Sequence, residues 1–340
     1  MTRRVVRRIK NSLTEKRQNL SGWLETALVD EKEICLGCAT EADLQTHLEV
    51  IDLTLQETEN ETFGICQVCH ESVDSSLLEM DYTATVCLGC LSEEEQSELE
   101  TELELSQTVQ RALMPQHPPN IPGLDVAAFS RPAQIVGGDY FDFIPLDDGT
   151  HALTIADAVG HGLSASMLMT SLQATLHTLL PDSLSPAKVL ERINRFYLHN
   201  VNYTTFVTVF LGKFDPHTRM LTYFNAGHNP PALVRRSRAE LTWLKPNGAA
   251  IGIVEEYKIQ PGLAQLQGGD VLVLYTDGVT EAINAGGQGF GYERLGALLL
   301  QYAGLSAADM VAMLRQELNN YTDGRPPADD TTIVVCKVLE

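Results

Sequence analysis

Two kinds of hydrophobic pattern divide this chain. Up to residue 114 the apolar positions fall at helical spacing among charged residues; from Leu124 onward short apolar runs alternate with helical stretches. In the first part, Val5, Val6, Ile9, Leu13 and Leu20 lie near helical spacing in a basic arm. Leu44, Leu48, Ile51 and Leu55 then recur at i, i+4, i+7 and i+11 within residues 41–58. Residues 92–114 read as a charged helix in which Leu99 and Leu103, then Leu105, Val109 and Leu113, are spaced i, i+4. Pro115, Pro118, Pro119 and Pro122 end that helix and stiffen the segment after it.

In the second part, DYFDFIPL, the turn DDGT and HALTIADA read as a β-hairpin. GLSASMLMTSLQATLHTLL predicts a buried helix ended by Pro181, and PAKVLERINRFYLHN a second helix. FVTVFLGKF, the turn DPHT and RMLTYFNAG make another hairpin. GDVLVLYTDG is a buried strand running into a turn, GYERLGALLLQY and SAADMVAMLRQELNNY are helices, and TTIVVCKVL closes as a strand. Hairpins alternating with helix pairs predict an α+β layered domain rather than βαβ crossovers. The expected organisation is a helical arm and cysteine module over 1–95, a linker helix and proline-rich spacer over 96–119, and the layered domain over 120–340.

Composition narrows the functions. Hydrophobic residues make up 44% of the 340, enough for a core, and the formal net charge of -21 argues against nucleic acid as a general partner. Basic charge gathers in the arm (Arg3, Arg4, Arg7, Arg8, Lys10), which reads either as a solvated helix start or as a contact for an anionic membrane surface. No apolar stretch is long enough to cross a bilayer, and the N-terminal arginines lack a following apolar core. A cytoplasmic protein without membrane insertion is expected.

Six of the seven cysteines come as CxxC pairs. Cys66–Cys69 and Cys87–Cys90 are separated by 17 residues, which is zinc-ribbon spacing: each pair supplies two thiolates from one knuckle. Four thiolates leave no open position, so the expected Zn²⁺ is structural. Cys35 and Cys38 form a third pair with three open readings: a redox couple, ligands for a second metal, or ordinary thiols capping a helix.

Four short turns carry the other candidate chemistry. They hold Asp139 in VGGDYFD, Asp157 in IADAVGHG, Asp277 in LYTDGVTEA and Asp329, with Asp330, in ADDTT. Each lies at the end of an apolar run or just before one. Carboxylates converging from strand ends repel one another unless a cation holds them, and hard oxygen ligands favour Mg²⁺ or Mn²⁺. Asp147 and Asp148 in DDGT read as turn formers instead. Gly137, Gly138, Gly160, Gly162 and Gly278 are expected to let the backbone bend around the cluster, and Asp142 to support Asp139 from behind.

Two resemblances add to this reading. IDLTLQETENETFGICQVCHESV…VCLGCLSEEEQSELE is similar to the DksA/TraR-type four-cysteine zinc finger, although the preceding helix is too short for that family's coiled coil. The run ELSQTVQRALMPQHPPNIPGLDVAAFSRPAQIVGGDYFDF, then IADAVGHGLSASMLM, FVTVFLGKFD, LTYFNAGHNPPALV, IGIVEEYKI, GDVLVLYTDGVTEA, FGYERL and ADDTTIVV, resembles the PPM family of metal-dependent Ser/Thr protein phosphatases in its SpoIIE/RsbU branch. The second resemblance implies two antiparallel β-sheets between helix pairs, with two Mn²⁺ or Mg²⁺ ions in a cleft at one end. It puts Asp139 and Asp157 on the ions, Asp157 bridging both, and gives the Ala158 carbonyl a place beside them. Asp277 and Asp329 complete the second ion's site, with Asp330 the competitor for Asp329's role. His161 either donates a proton to the leaving oxygen or holds the loop, and His228 and Asn229 fix a loop beside the cleft.

The resulting expectation is a phosphoserine/phosphothreonine phosphatase acting on a STAS-type anti-sigma-factor antagonist in a bacterial partner-switching pathway. The zinc module would regulate it, and the linker helix would pair two copies into a homodimer. Two other readings are carried: a zinc-finger binding protein using the phosphatase fold as a scaffold, and a small-molecule phosphomonoesterase.

Overall fold

The computed structural model describes residues 6, 9–11, 13–14, 17–18, 21, 41–60, 62–73, 77–78, 83–159, 162–181, 185–200 and 206–340. Cys35, Cys38 and His161 lie outside the described residues. The chain divides into two compact units, Met1–Glu102 and Leu103–Glu340. The division falls inside helix α2 (Glu93–Leu113); an earlier helix, α1, spans Glu41–Glu59.

The first unit has a small core. Ile51 of α1 is fully buried, and Ile9, Leu13, Phe63, Cys66, Val73 and Leu78 join it. Of the arm's apolar positions, Ile9 and Leu13 are buried in this core. The arm is also tied by charge, through Arg17 to Asp52 and Lys10 to Glu59. Gly64 enters the first knuckle in the left-handed region at φ 72°, and the knuckle closes with the Cys66 amide donating to the Glu71 carbonyl and the His70 amide to Cys66.

The second unit is built on two five-stranded antiparallel sheets. One holds β1 (Leu124–Arg131), β10 (Thr331–Val338), β9 (Val271–Tyr275), β6 (Ala232–Arg235) and β7 (Glu240–Trp243), in that order. The other holds β2 (Asp139–Pro145), β3 (His151–Ala158), β4 (Val207–Asp215), β5 (Met220–Ala226) and β8 (Gly262–Gln265). Three apolar layers hold them. Phe141, Leu153, Phe210, Phe214, Leu274 and Val334 fill the space between the sheets. Helices α3 (Leu163–Leu179) and α4 (Pro186–Asn200) cover the second sheet's outer face, and α6 (Gly291–Tyr302) and α7 (Ala307–Tyr321) cover the first's. A short turn of helix, α5 (Asp277–Thr280), follows β9.

This layering explains why the central strands read as continuous apolar runs. A strand covered on both faces has no solvent side to keep polar, so all five residues of β9 are buried. The fold is the expected α+β sandwich of two sheets between helix pairs.

Candidate active site

The four acidic turns come to one end of the sandwich. Asp139 opens β2 and pairs directly with Asp157 near the end of β3. On the facing sheet, β9 runs out at Tyr275, opposite Ile333 of β10, so the turn carrying Asp277 lies beside the Asp329–Asp330 entry to β10. Asp157 is half-buried and feels the negative fields of Asp139, Asp277, Asp329 and Asp330. Among the described residues, none of these carboxylates is ion-paired with a basic side chain. Their oxygens do not all lie within 4.8 Å of one another.

Burial and crowding raise the carboxylates' proton affinity. Asp157 is pushed up to about 9, first by burial and then by Asp139, Asp277, Asp329 and Asp330. Asp277 is pushed up to about 6 by burial and then by Asp329. Asp139 is raised well above the usual carboxylate range, chiefly by burial. A hard, all-oxygen donor set with surplus negative charge fits a divalent cation.

The sign of the resulting pH dependence follows by linkage. Groups whose pKa is higher folded than unfolded bind more protons in the folded state, so stability falls as pH rises from the ordinary carboxylate value toward about 9. Metal-free protein is expected to melt progressively lower between pH 5 and pH 8. Added Mn²⁺ should raise the melting temperature more at pH 8 than at pH 5, because at the lower pH it must displace protons. Calorimetry with and without Mn²⁺ checks this; a metal-induced shift independent of pH would contradict it.

The local backbone is set by close approach. The Asp330 carboxylate accepts the Ala133 amide at 2.7 Å on one oxygen and the Gly138 amide at 2.5 Å on the other. Asp330 is thereby an anchor for the loop before β2, whereas the Asp329 side chain is exposed and, among the described residues, accepts the adjacent Asp330 amide at 2.8 Å. A Cβ at Gly137 would sit 2.6 Å from Asp330 Oδ2, and one at Gly278 only 2.0 Å from the Asp330 carbonyl oxygen. Neither glycine is among those with positive φ, so crowding against Asp330 requires them, not the bending freedom expected from sequence. Helix α2 grips the same loop. Gln110 donates its amide to the Gly137 carbonyl at 2.6 Å and accepts the Gly137 amide at 3.1 Å, while Gln107 donates to the Ile135 carbonyl.

Other expected residues fall as follows. Ala158 is buried at the end of β3, its amide bonded to the Gly138 carbonyl. Asp142 does not support Asp139. Three residues along a strand point to opposite faces, so Asp142 turns toward α3 and accepts from the Tyr140 hydroxyl and pairs with His177 at 2.7 Å. His228 is buried and pushed down to about 4, hence neutral, with Nδ1 at 2.8 Å from the Thr208 hydroxyl. Three hydroxyl residues were not anticipated: Thr276, Thr332 and Ser130, which form a chain ending on Asp139. Adjacency to the acidic turns in YTDG and DDTT is a signal for Thr276 and Thr332, and Ser130 in AAFSRP carries none.

In the first unit, the sulfurs of Cys66, Cys69, Cys87 and Cys90 all lie within 4.8 Å of one another. The Cys66 sulfur accepts the Val68 and Cys87 amides at 3.4 and 3.3 Å. Amide hydrogen bonds, first from Cys69 and then from Cys87, pull its thiol down to about 6, while the crowding sulfurs, Cys87 first, push Cys90 up to about 12. A closed, four-sulfur donor set of this kind fits a tetrahedral Zn²⁺.

Residues 147–339 match the family described as Stage II sporulation protein E (SpoIIE), a span that includes Asp157, Asp277, Asp329 and Asp330 but not Asp139. Phosphoserine phosphatase RsbU of Bacillus subtilis is 30% identical over 242 residues, covering 71% of this chain and 71% of RsbU. Among solved structures, the SiaA-PP2C domain of Pseudomonas aeruginosa superposes with a TM-score of 0.62 at 21% identity, over 72% of this chain and 98% of that domain. The RsbU and RsbW domains of Rv1364c from Mycobacterium tuberculosis give 0.54 at 26% identity, over 64% of this chain and 61% of that one.

Proposed function

The chain belongs to the SpoIIE family of PP2C-type phosphatases, and from that premise we propose that it is a Mn²⁺- or Mg²⁺-dependent phosphatase of phosphoserine and phosphothreonine in a STAS-type anti-sigma-factor antagonist. The observation that carries the reading is the gathering of acidic turns from four strand ends at one end of the sandwich, without a basic partner among the described residues.

Asp139, Asp157, Asp277 and Asp329 would hold two cations, with the Ala158 carbonyl beside them. Asp157 has the central position, since the other four carboxylates all act on it. Asp329 is favoured over Asp330 because Asp330 is committed to two backbone amides. When bound, such ions activate a water near neutral pH and neutralise phosphoryl oxygens. The chain's own contribution is to fix the carboxylates: Asp330 anchors the loop before β2, Gln110 grips that loop from outside, and the β2–β3 register sets Asp139 opposite Asp157. No cysteine or serine nucleophile is needed.

The test is phosphate release from a phosphoserine STAS protein. Release that requires Mn²⁺ is expected. Failure of the metal-loaded protein to dephosphorylate any phosphoserine protein, with hydrolysis of small phosphomonoesters retained, would overturn the protein-substrate assignment. Among the described residues no helix is long and apolar enough to cross a membrane.

The zinc module is assigned a regulatory role on the family resemblance of its cysteines, and α2 a pairing role. The exposed apolar positions of α2 are the candidates for its pairing face. Leu103 and Leu113 are half-buried, whereas Leu105 and Val109, 64% and 51% exposed, point away from the loop that Gln107 and Gln110 grip. Leu105→Glu with Val109→Glu is expected to convert dimers to monomers in sedimentation and to change basal phosphatase activity. A wild type that sediments as a monomer at about 50 µM would remove the pairing role.

A further inference from the structure

Asp139 is 3% exposed, and one of its two oxygens, Oδ2, carries both of its side-chain hydrogen bonds. The Thr276 hydroxyl reaches it at 2.8 Å and the Thr332 hydroxyl at 2.7 Å, and neither threonine has any exposed surface. Counting protons fixes the direction of each bond. A carboxylate oxygen only accepts, so each hydroxyl spends its single proton on Oδ2. The Thr276 oxygen then accepts the Thr332 amide at 3.0 Å. The Thr332 oxygen, 2.9 Å from Ser130 Oγ, accepts the Ser130 proton. Among the described residues no hydrogen bond reaches Oδ1.

This chain of hydroxyls crosses from one sheet to the other. Asp139 opens β2, whereas Ser130 is on β1, Thr332 on β10 and Thr276 at the exit of β9. Thr276 immediately precedes Asp277, and Thr332 lies three residues beyond Asp329. One oxygen of one carboxylate thus ties together the two chain segments that carry Asp277 and Asp329.

We propose that Thr276 and Thr332, backed by Ser130, are positioning residues that make Asp139 a one-oxygen metal ligand. With Oδ2 saturated by two donors, the carboxylate cannot rotate to present both oxygens, and Oδ1 alone is offered to a divalent cation. The same bonds hold Asp139 at a fixed separation from Asp277 and Asp329. Partners that orient a ligating carboxylate typically change metal affinity about 10–100-fold when removed. The inference rests on the metal-site reading given under Proposed function.

The experiment is direct Mn²⁺ binding to the full-length protein by calorimetry, with metal-free melting temperature recorded for each variant. Thr276→Val and Thr332→Val remove one donor each while keeping shape, and are expected to weaken Mn²⁺ binding about 10-fold or more. Thr276→Ser and Thr332→Ser restore the hydroxyl and should bind within about 3-fold of wild type, which a purely packing role for the threonines would not produce. Ser130→Ala, further along the chain, is expected to weaken binding by a smaller factor of about 2–5 and serves if a valine variant does not fold. Activity measured against Mn²⁺ concentration should show the metal requirement shifting upward, with KM for the phosphoprotein little changed. Valine variants, or Ser130→Ala where they do not fold, that bind Mn²⁺ as wild type does would overturn this inference alone. A wild-type protein that binds no Mn²⁺ would overturn the metal-site reading beneath it.

Discussion

Asp157→Asn should lower kcat by several orders of magnitude at saturating Mn²⁺ while leaving the fold intact. The residue has the central position among the site's carboxylates, facing Asp139 directly in the β2–β3 register and under the field of three further aspartates. Asparagine keeps the size and one neutral oxygen but removes the charge that two cations would share. The same charge is a burden on the metal-free fold, where burial and repulsion push Asp157 up to about 9. The variant should therefore melt at a higher temperature than wild type in chelator and gain less on addition of Mn²⁺. This opposition separates loss of a ligand from loss of structure, since a misfolded variant would lose both activity and thermal stability. Near-normal turnover in Asp157→Asn would refute the two-metal assignment.

Much of this site can be read from the sequence because strand ends are easy to place in a sandwich covered on both faces. β9 and β10 are apolar runs with an acid at one end, and the hairpin turns announce themselves. Asp148 accepts both the amide and the hydroxyl of Thr150 in DDGT, with Gly149 at φ 78°, and Asp215 does the same for Thr218 in DPHT. The strands β6, β7 and β8 have four residues each, too few for a period to emerge, and β6 and β8 take places in the sheets beside β9 and β5, neighbours distant in sequence.

A period of two puts Asp139 and Asp142 on opposite faces of β2. On α2, Leu103 and Val109 are six residues apart, hence about 120° from each other around the helix, whereas Leu105 and Val109, four apart, share a face. The hydroxyls of Thr276 and Thr332 were a different case. A threonine beside an acidic turn reads as a turn former or cap, and nothing in the sequence says that it bonds a carboxylate 137 or 193 residues away. Asp330 was equally opaque, because its two amide donors lie in the loop before β2.

Cys66→Ser is expected to abolish zinc retention and to unfold the first unit's core. Cys66 has no exposed surface, and it packs in the same cluster as Ile9, Leu13, Ile51 and Phe63. Its sulfur also holds the two knuckles together by accepting the Cys87 amide from the second. A cluster this small supplies little hydrophobic stabilisation by itself. Zinc binding to four thiolates is worth roughly 10–16 kcal/mol in small finger peptides at neutral pH, enough to decide whether such a unit folds. Amide hydrogen bonds, first from Cys69 and then from Cys87, pull Cys66 to about 6, while hydrogen bonds among the sulfurs, Cys87 first, push Cys90 up to about 12. A bound cation lets all four lose their protons. Serine offers a hard, poorly ionised oxygen where a soft thiolate is needed. Wild-type protein dialysed against EDTA should keep about one zinc per chain by elemental analysis, and Cys66→Ser or Cys87→Ser should keep none. In the serine variants residues 1–102 should become the first segment cut by protease, because loss of the metal leaves their core open. Complete loss of zinc from wild type under the same dialysis, or unchanged zinc in either variant, would exclude a structural four-thiolate site.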